Sequence, residues 1–221
     1  MKKILFLIPA FLLAFQISKA QTEKGSQTLG VNLNFSYQKS DNLSINPSDN
    51  SSVNVVNKYT LFGVAPTYSY FIANKLDIGA TLGYDYLHFD NGDQSYPQTR
   101  HEHDYTASIF LRKYLMYNEK FGIRTGPYLT YVRFDSKDTY PANSSINNTT
   151  SKSDSYLAGI NLGLVYYPSK CLGFAANLAN LSYSHVKTDS GVNGHGKTDN
   201  VNFNFISNNI GISVFYVFGA K

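Results

Sequence analysis

Asp77, Asp85, Arg112 and Arg124 each fall in phase with small or polar neighbours and out of phase with apolar ones. In an extended chain, that phase turns all four toward one enclosed face. Enclosed charges demand partners, because an unpaired ion away from water is costly. Counting back from a turn centred on Asn118 sets Arg112 opposite Arg124, and Asp77 is the nearest carboxylate. The expected chemistry is a structural ion network at these four positions. The competing reading is a selective or gated pore.

The histidines are the other candidates: His88, His101, His103, His185 and His195. His101 and His103 are two residues apart, so an extended strand puts both imidazoles on one face. With Asp90 or Asp93 they would make half of a metal site. Two ligands do not complete one, and solvated histidines are the plainer expectation. A lipid hydrolase would need a serine, a histidine and an acid converging. Ser184 and His185 are adjacent, and strand neighbours point to opposite faces. No nucleophile stands out, so the expectation is no catalysis, no cofactor and no metal.

The elements that must hold these residues are strands. Leu29, Val31, Leu33, Phe35 and Tyr37 alternate with Gly30, Asn32, Asn34 and Ser36, a period of two. Further strands are read from Tyr59 to Tyr70, Leu76 to Tyr86, Tyr105 to Leu115, Phe121 to Arg133 and Tyr156 to Tyr166. A seventh starts at Leu172 and loses phase after Leu178. The eighth slips by one between Phe205 and Ile210 and ends on Val214, Tyr216 and Phe218. Both slips predict β-bulges. Pro66 and Pro127 sit inside spans where proline cannot donate to a ladder, which predicts local bulges or frayed pairing.

The connections set the architecture. Segments near 38–58, 88–104, 134–155 and 184–200 are long and polar, and those near 71–75, 116–120 and 168–171 are short. Long and short alternate, as in outer-membrane barrels with short periplasmic turns and long outer loops. The fold class expected is all-β: an eight-stranded antiparallel transmembrane up-and-down β-barrel with both termini in the periplasm. Eight strands leave a lumen just wide enough for side chains to fill, which favours the structural network over the pore.

Aromatics gather at both ends of the strands. Tyr68, Tyr70, Phe71, Tyr114, Tyr117, Phe121, Tyr166, Tyr167, Tyr216 and Phe218 lie beside short turns or the C-terminus. Phe35, Tyr37, Tyr59, Phe62, Tyr84, Tyr86, Tyr105, Tyr131, Phe134 and Tyr156 lie beside long connections. These predict two interfacial girdles. A soluble sandwich or lipocalin-like barrel is the competing architecture. Its outer surface would be the Gly, Asn, Ser and Thr face, which suits a tight barrel interior better.

Residues 1–20 read as a secretory signal: Lys2 and Lys3, an apolar run from Ile4 to Phe15, then Ser18-Lys19-Ala20. The domain is then 21–221. The signal takes three of the 19 basic residues, leaving 16 against 15 acidic ones, so no basic footprint for nucleic acid exists. Cys171 is the single cysteine and forms no intramolecular disulfide.

The chain resembles the small outer-membrane β-barrel families of Gram-negative bacteria, of the Bacteroidetes porin-like and OmpA/OmpX-like type. The residues that carry the resemblance are Tyr70 to Gly79, Phe110 to Tyr114 and Ile210 to Tyr216. The resemblance implies insertion in the outer membrane and no defined activity. It also implies contact with membrane lipid and lipopolysaccharide, and capture of the C-terminal strand by the barrel-assembly machinery. A monomeric envelope protein acting through four extracellular loops is expected. A narrow channel for small or hydrophobic solutes is the alternative, and a lipid-modifying enzyme the third reading.

Overall fold

The computed structural model describes residues 21–45, 52–92, 98–142, 145–189, 194–205 and 212–219. The signal segment 1–20 lies outside them. The strands are β1 (Gln27–Ile45), β2 (Ser52–Ala73), β3 (Leu76–Asn91), β4 (Gln98–Met116), β5 (Phe121–Ala142), β6 (Ser145–Tyr166), β7 (Leu172–Asp189), β8 (His195–Phe205) and β9 (Ile212–Phe218). Neighbours pair antiparallel in chain order from β1 to β7. The ring closes through β9, which pairs with β1 from Gln27↔Phe218 to Val31↔Val214 and with β7 from Leu172↔Tyr216 to Ala176↔Ile212. Further up, β8 lies against β7 from Ala179↔Phe205 to Asp189↔His195. Thus β8 and β9 are the upper and lower halves of one stave, and the barrel has eight. The expected slip between Phe205 and Ile210 falls at residues 206–211, outside those described.

The slip in the seventh strand is a bulge. Leu162 pairs with Ala179 and Gly163 with Asn177, so Leu178 has no opposite number on β6. The extra residue flips the parity of everything above it. Asn177 and Asn180 therefore both point into the barrel, although three positions apart.

The prolines cause gaps without a bulge. Pairing of β2 with β3 passes from Val64↔Tyr84 to Thr67↔Thr81, and pairing of β4 with β5 from Phe110↔Tyr128 to Lys113↔Thr125. The register is the same on both sides of each gap, so Pro66 and Pro127 each interrupt rungs on one side only.

The four long connections are corrected. β1 and β2 reach Ile45 and Ser52, β3 and β4 reach Asn91 and Gln98, and β5 and β6 reach Ala142 and Ser145. β7 and β8 reach Asp189 and His195. Most of what reads as loop is continued hairpin. Apolar alternation vanishes once both faces of a ribbon meet water, while the backbone ladder continues.

An apolar band faces outward. Leu33, Phe35, Leu82 and Ile109 are 71%, 74%, 65% and 58% exposed, far too open for a protein facing water on that side. Tyr84, Tyr105, Tyr131 and Tyr156 mark its upper limit, with Tyr84 against Tyr105 and Tyr131 against Tyr156. The aromatic girdles are revised in part. Phe71, Tyr114 and Tyr167 are buried in an internal cluster with Val165, Ala175, Phe215 and Val217. Tyr59 and Phe134 share the lumen-facing parity and do not belong to the upper belt.

Candidate functional site: the barrel lumen

The lower lumen is packed by aromatics lying over glycines. Phe215 reaches across Gly173, where an added Cβ would come within 2.2 Å of its ring. Phe110 crosses Gly79, where the same atom would lie 2.5 Å from the ring. A side chain at either glycine would evict the ring. Beneath, Tyr167 meets Phe215 edge-on with centroids 5.6 Å apart, and Phe71 meets Tyr114 at 5.3 Å. The segment before β1 lies against this end: Gly25 N–H donates to Phe71 O and Lys75 N–H to Thr22 O.

On this packing sits the ion network. Asp77 is directly opposite Arg112 across β3 and β4 and is 0% exposed. Arg112 Nε donates to Asp77 Oδ1 at 3.0 Å, and Nη2 donates to Oδ2. Ser69 Oγ and Tyr114 Oη also donate to Oδ2, at 2.7 and 3.1 Å. Thr28 extends the chain to Ser69 at 2.6 Å. The guanidinium carbon of Arg112 rests 3.9 Å from the centroid of the Phe110 ring. A buried carboxylate with this many donors is fully satisfied.

Arg112 does not face Arg124, and that expectation is corrected. The turn Met116–Phe121 centres on Glu119, because Met116 pairs with Gly122. Asn118 Oδ1 accepts from the backbone N–H of Lys120 and Phe121 and so fixes that turn. One residue of shift in the centre moves the pairing by two. Arg124 therefore lies opposite Tyr114, with its guanidinium 5.9 Å from the Phe215 centroid. Among the described residues it has no carboxylate within 4 Å.

Asp85 stands apart from these three. It is directly opposite Asp104, one residue beyond the upper tyrosines, and both point into the barrel. Burial raises the Asp85 carboxyl, and a hydrogen bond from Asn34 partly offsets this. Asp104 is pushed up to about 7, first by burial, then by the charges of Glu102 and Asp85. Asp104 is missed from sequence because the apolar alternation starts at Tyr105. Only the strand's continuation places it.

Above the network is a cavity of about 480 Å³, lined by Asn32, Asn161, Asn177, Asn180, Tyr128 and Arg124 among others. Tyr128 Oη donates to Asn180 Oδ1 at 2.9 Å.

The histidines are on strands facing outward. Tyr86 Oη and His101 Nδ1 lie 2.8 Å apart, as do Tyr84 Oη and His103 Nδ1. His88 lies tilted beside His101 with ring centroids 4.7 Å apart. Burial, then the neighbouring His88, His103 and Lys137, lower the pKa of His101. No three metal-ligating side chains converge among the described residues. Asp90 is on β3, and Asp93 lies outside the described residues. His185 Nδ1 is 2.7 Å from Asp199 Oδ1, which also accepts from Tyr183 Oη at 2.6 Å. Those two hydrogen bonds, Tyr183 first, hold the Asp199 carboxyl low. Ser184 is buried on the lumen side of the wall, across from His185, so the pair has no nucleophile in Ser184.

No family model matches the chain, and no curated protein does. Among solved structures, the outer membrane protein OprG from Pseudomonas aeruginosa aligns at TM-score 0.49 and 14% identity, over 91% of this chain and 100% of that one. Ail, the attachment invasion locus protein of Yersinia pestis, aligns at TM-score 0.42 and 12% identity, over 89% and 100%. The barrel described above rests on its own strand pairing.

Proposed function

We propose that this chain is a monomeric, non-enzymatic outer-membrane barrel that works at the cell surface through its hairpin walls. The observation that carries this reading is strand length. β2, β5 and β6 are each 22 residues long, whereas a membrane crossing takes about 9–11. The surplus stands above the apolar band as paired, polar ribbon. Arg100 grips Asp138 through Nε at 2.7 Å and Nη2 at 3.2 Å. Arg133 bridges Asp135 at 3.4 Å and Asp154 at 3.9 Å. The Arg100–Asp138 and Arg133–Asp154 pairs cross between strands and stiffen a scaffold that presents its tips. Membrane lipid and lipopolysaccharide surround the band, and the assembly machinery receives the β9 strand.

The test is a hairpin truncation. Replace residues 136–151 by Asn-Gly, then compare heat-modifiable insertion and whole-cell binding to host or abiotic surfaces with the parent. Normal insertion with lost binding is expected. Unchanged binding, or a parent protein found soluble in the periplasm, would sink the reading.

A second reading is a sideways route for hydrophobic solutes. Among the described residues, β1 from Asn32 upward has β2 as its partner and nothing on the other edge, and β8 pairs only with β7. The lumen cavity reaches Val31, Asn32 and Asn204 at this seam. Uptake of an apolar dye that disappears when β1 and β8 are tethered by a disulfide would favour this reading over the first.

A further inference from the structure

We propose that the lumen cavity is a binding site for a small hydroxylated monocarboxylate, held at its carboxylate by Arg124. This stands independently of the wall reading, because a lumen that binds a solute need not conduct it.

Charge carries the first part of the argument. Arg112 and Arg124 line the cavity floor, and Asp77 lies buried behind them. Asp77 is fully engaged by Arg112, Ser69 and Tyr114. Arg124 has a hydrogen bond with Tyr114 and the Phe215 ring beside it, and no carboxylate within 4 Å among the described residues. A cation inside a membrane-embedded barrel, with a counter-ion already claimed by its neighbour, calls for a second anion. Guanidinium and carboxylate are matched planar forks, so the carboxylate is the natural partner.

The walls set the rest of the ligand. Asn32, Asn161, Asn177, Asn180 and Asn204 line the cavity. An amide offers donors and an acceptor together, which suits hydroxyl groups. Asn161 Oδ1 is buried without a hydrogen-bond partner. The Leu178 bulge brings Asn177 and Asn180 to the same face, doubling the amides on that wall. A volume of about 480 Å³ suits a small molecule.

The mouth slows the entry of anions. An anion entering from above passes Asp85 and Asp104. These lie eight residues up β4 from Arg112, about 27 Å along the strand, which exceeds the Debye length of about 8 Å. They slow entry without weakening the bound state. Below, the Phe71, Tyr114, Tyr167 and Phe215 cluster stops the solute.

The experiment uses the full mature protein in non-ionic detergent, with radiolabelled gluconate as the probe at fixed ionic strength. One saturable site per barrel is expected, with sorbitol failing to compete. Arg124→Gln should weaken binding by about tenfold or more. Lys113→Gln, on the outward face, should leave binding unchanged. Absence of saturable binding in the parent, equal affinity in Arg124→Gln, or equal competition by sorbitol would each overturn the proposal. If Arg124→Gln fails to give the heat-shifted folded band, Asn161→Asp decides. A carboxylate built beside Arg124 should abolish gluconate binding, and undiminished binding there would overturn the proposal equally.

Discussion

Asp77 and Arg112 occupy the same rung of the β3–β4 ladder, and their side chains meet inside the barrel through two parallel hydrogen bonds. Ser69 and Tyr114 fill the remaining acceptor positions of the carboxylate. This pair joins three staves at the lower end of the lumen.

Breaking one side of that pair should cost more than removing both. Asp77→Asn leaves Arg112 buried beside Arg124 with no anion, and a loss of about 3–5 kcal/mol is expected. Asp77→Asn with Arg112→Gln should recover part of it. Urea unfolding of the refolded protein in micelles measures both. Additive losses would mean that the two residues do not act as a unit.

Asp104 should make stability fall with rising pH. Its carboxyl holds a proton up to about 7 in the folded barrel but releases it near about 3.9 when unfolded. Between these values the folded state binds the extra proton, so stability declines as pH rises through that window. Asp104→Asn stays neutral throughout. It should resist more urea than the parent at pH 8 and match it at pH 4. The same gain at both pH values would contradict an Asp104 carboxyl raised by burial and by its acidic neighbours.

The internal cluster should keep the barrel from acting as a general porin. Planar-bilayer recordings of the parent are expected to show no large, stable, ohmic conductance. Steady open channels would mean that Phe71, Tyr114, Tyr167 and Phe215 do not fill the lower lumen in a membrane.

Deleting Leu178 should remove the bulge and still allow folding. Gly163↔Asn177 and Leu162↔Ala179 then become consecutive rungs, so Asn180, Ser182 and Ser184 stay inward while Leu181 and Tyr183 stay outward. A retained heat-shifted band on unboiled gels is the expected result. Inserting one alanine after Asn180 instead should abolish that band, since one residue of slip turns Ser182 and Ser184 outward and Leu181 and Tyr183 inward.

Sequence alone determined the strands that cross the apolar band, because lipid on one side and a narrow lumen on the other impose a period of two. Leu29 through Tyr37 and the closing Ile212 through Phe218 read off directly, as did the inward parity of Asp77, Asp85, Arg112 and Arg124. The bulge at Leu178 was legible as a loss of phase. What tertiary structure decided was everything that depends on a partner strand. Parity names a face but not a rung, so only the Asn118 turn geometry could separate Arg112 from Arg124 and give Asp77 to one and not the other. Parity also could not tell a girdle tyrosine from a plug tyrosine near a turn, as Tyr114 and Tyr167 show. Above the band, water on both faces removes the alternation altogether. Asp104 and the hairpin walls became visible only through the hydrogen-bond ladder, which the backbone makes and no side-chain pattern records.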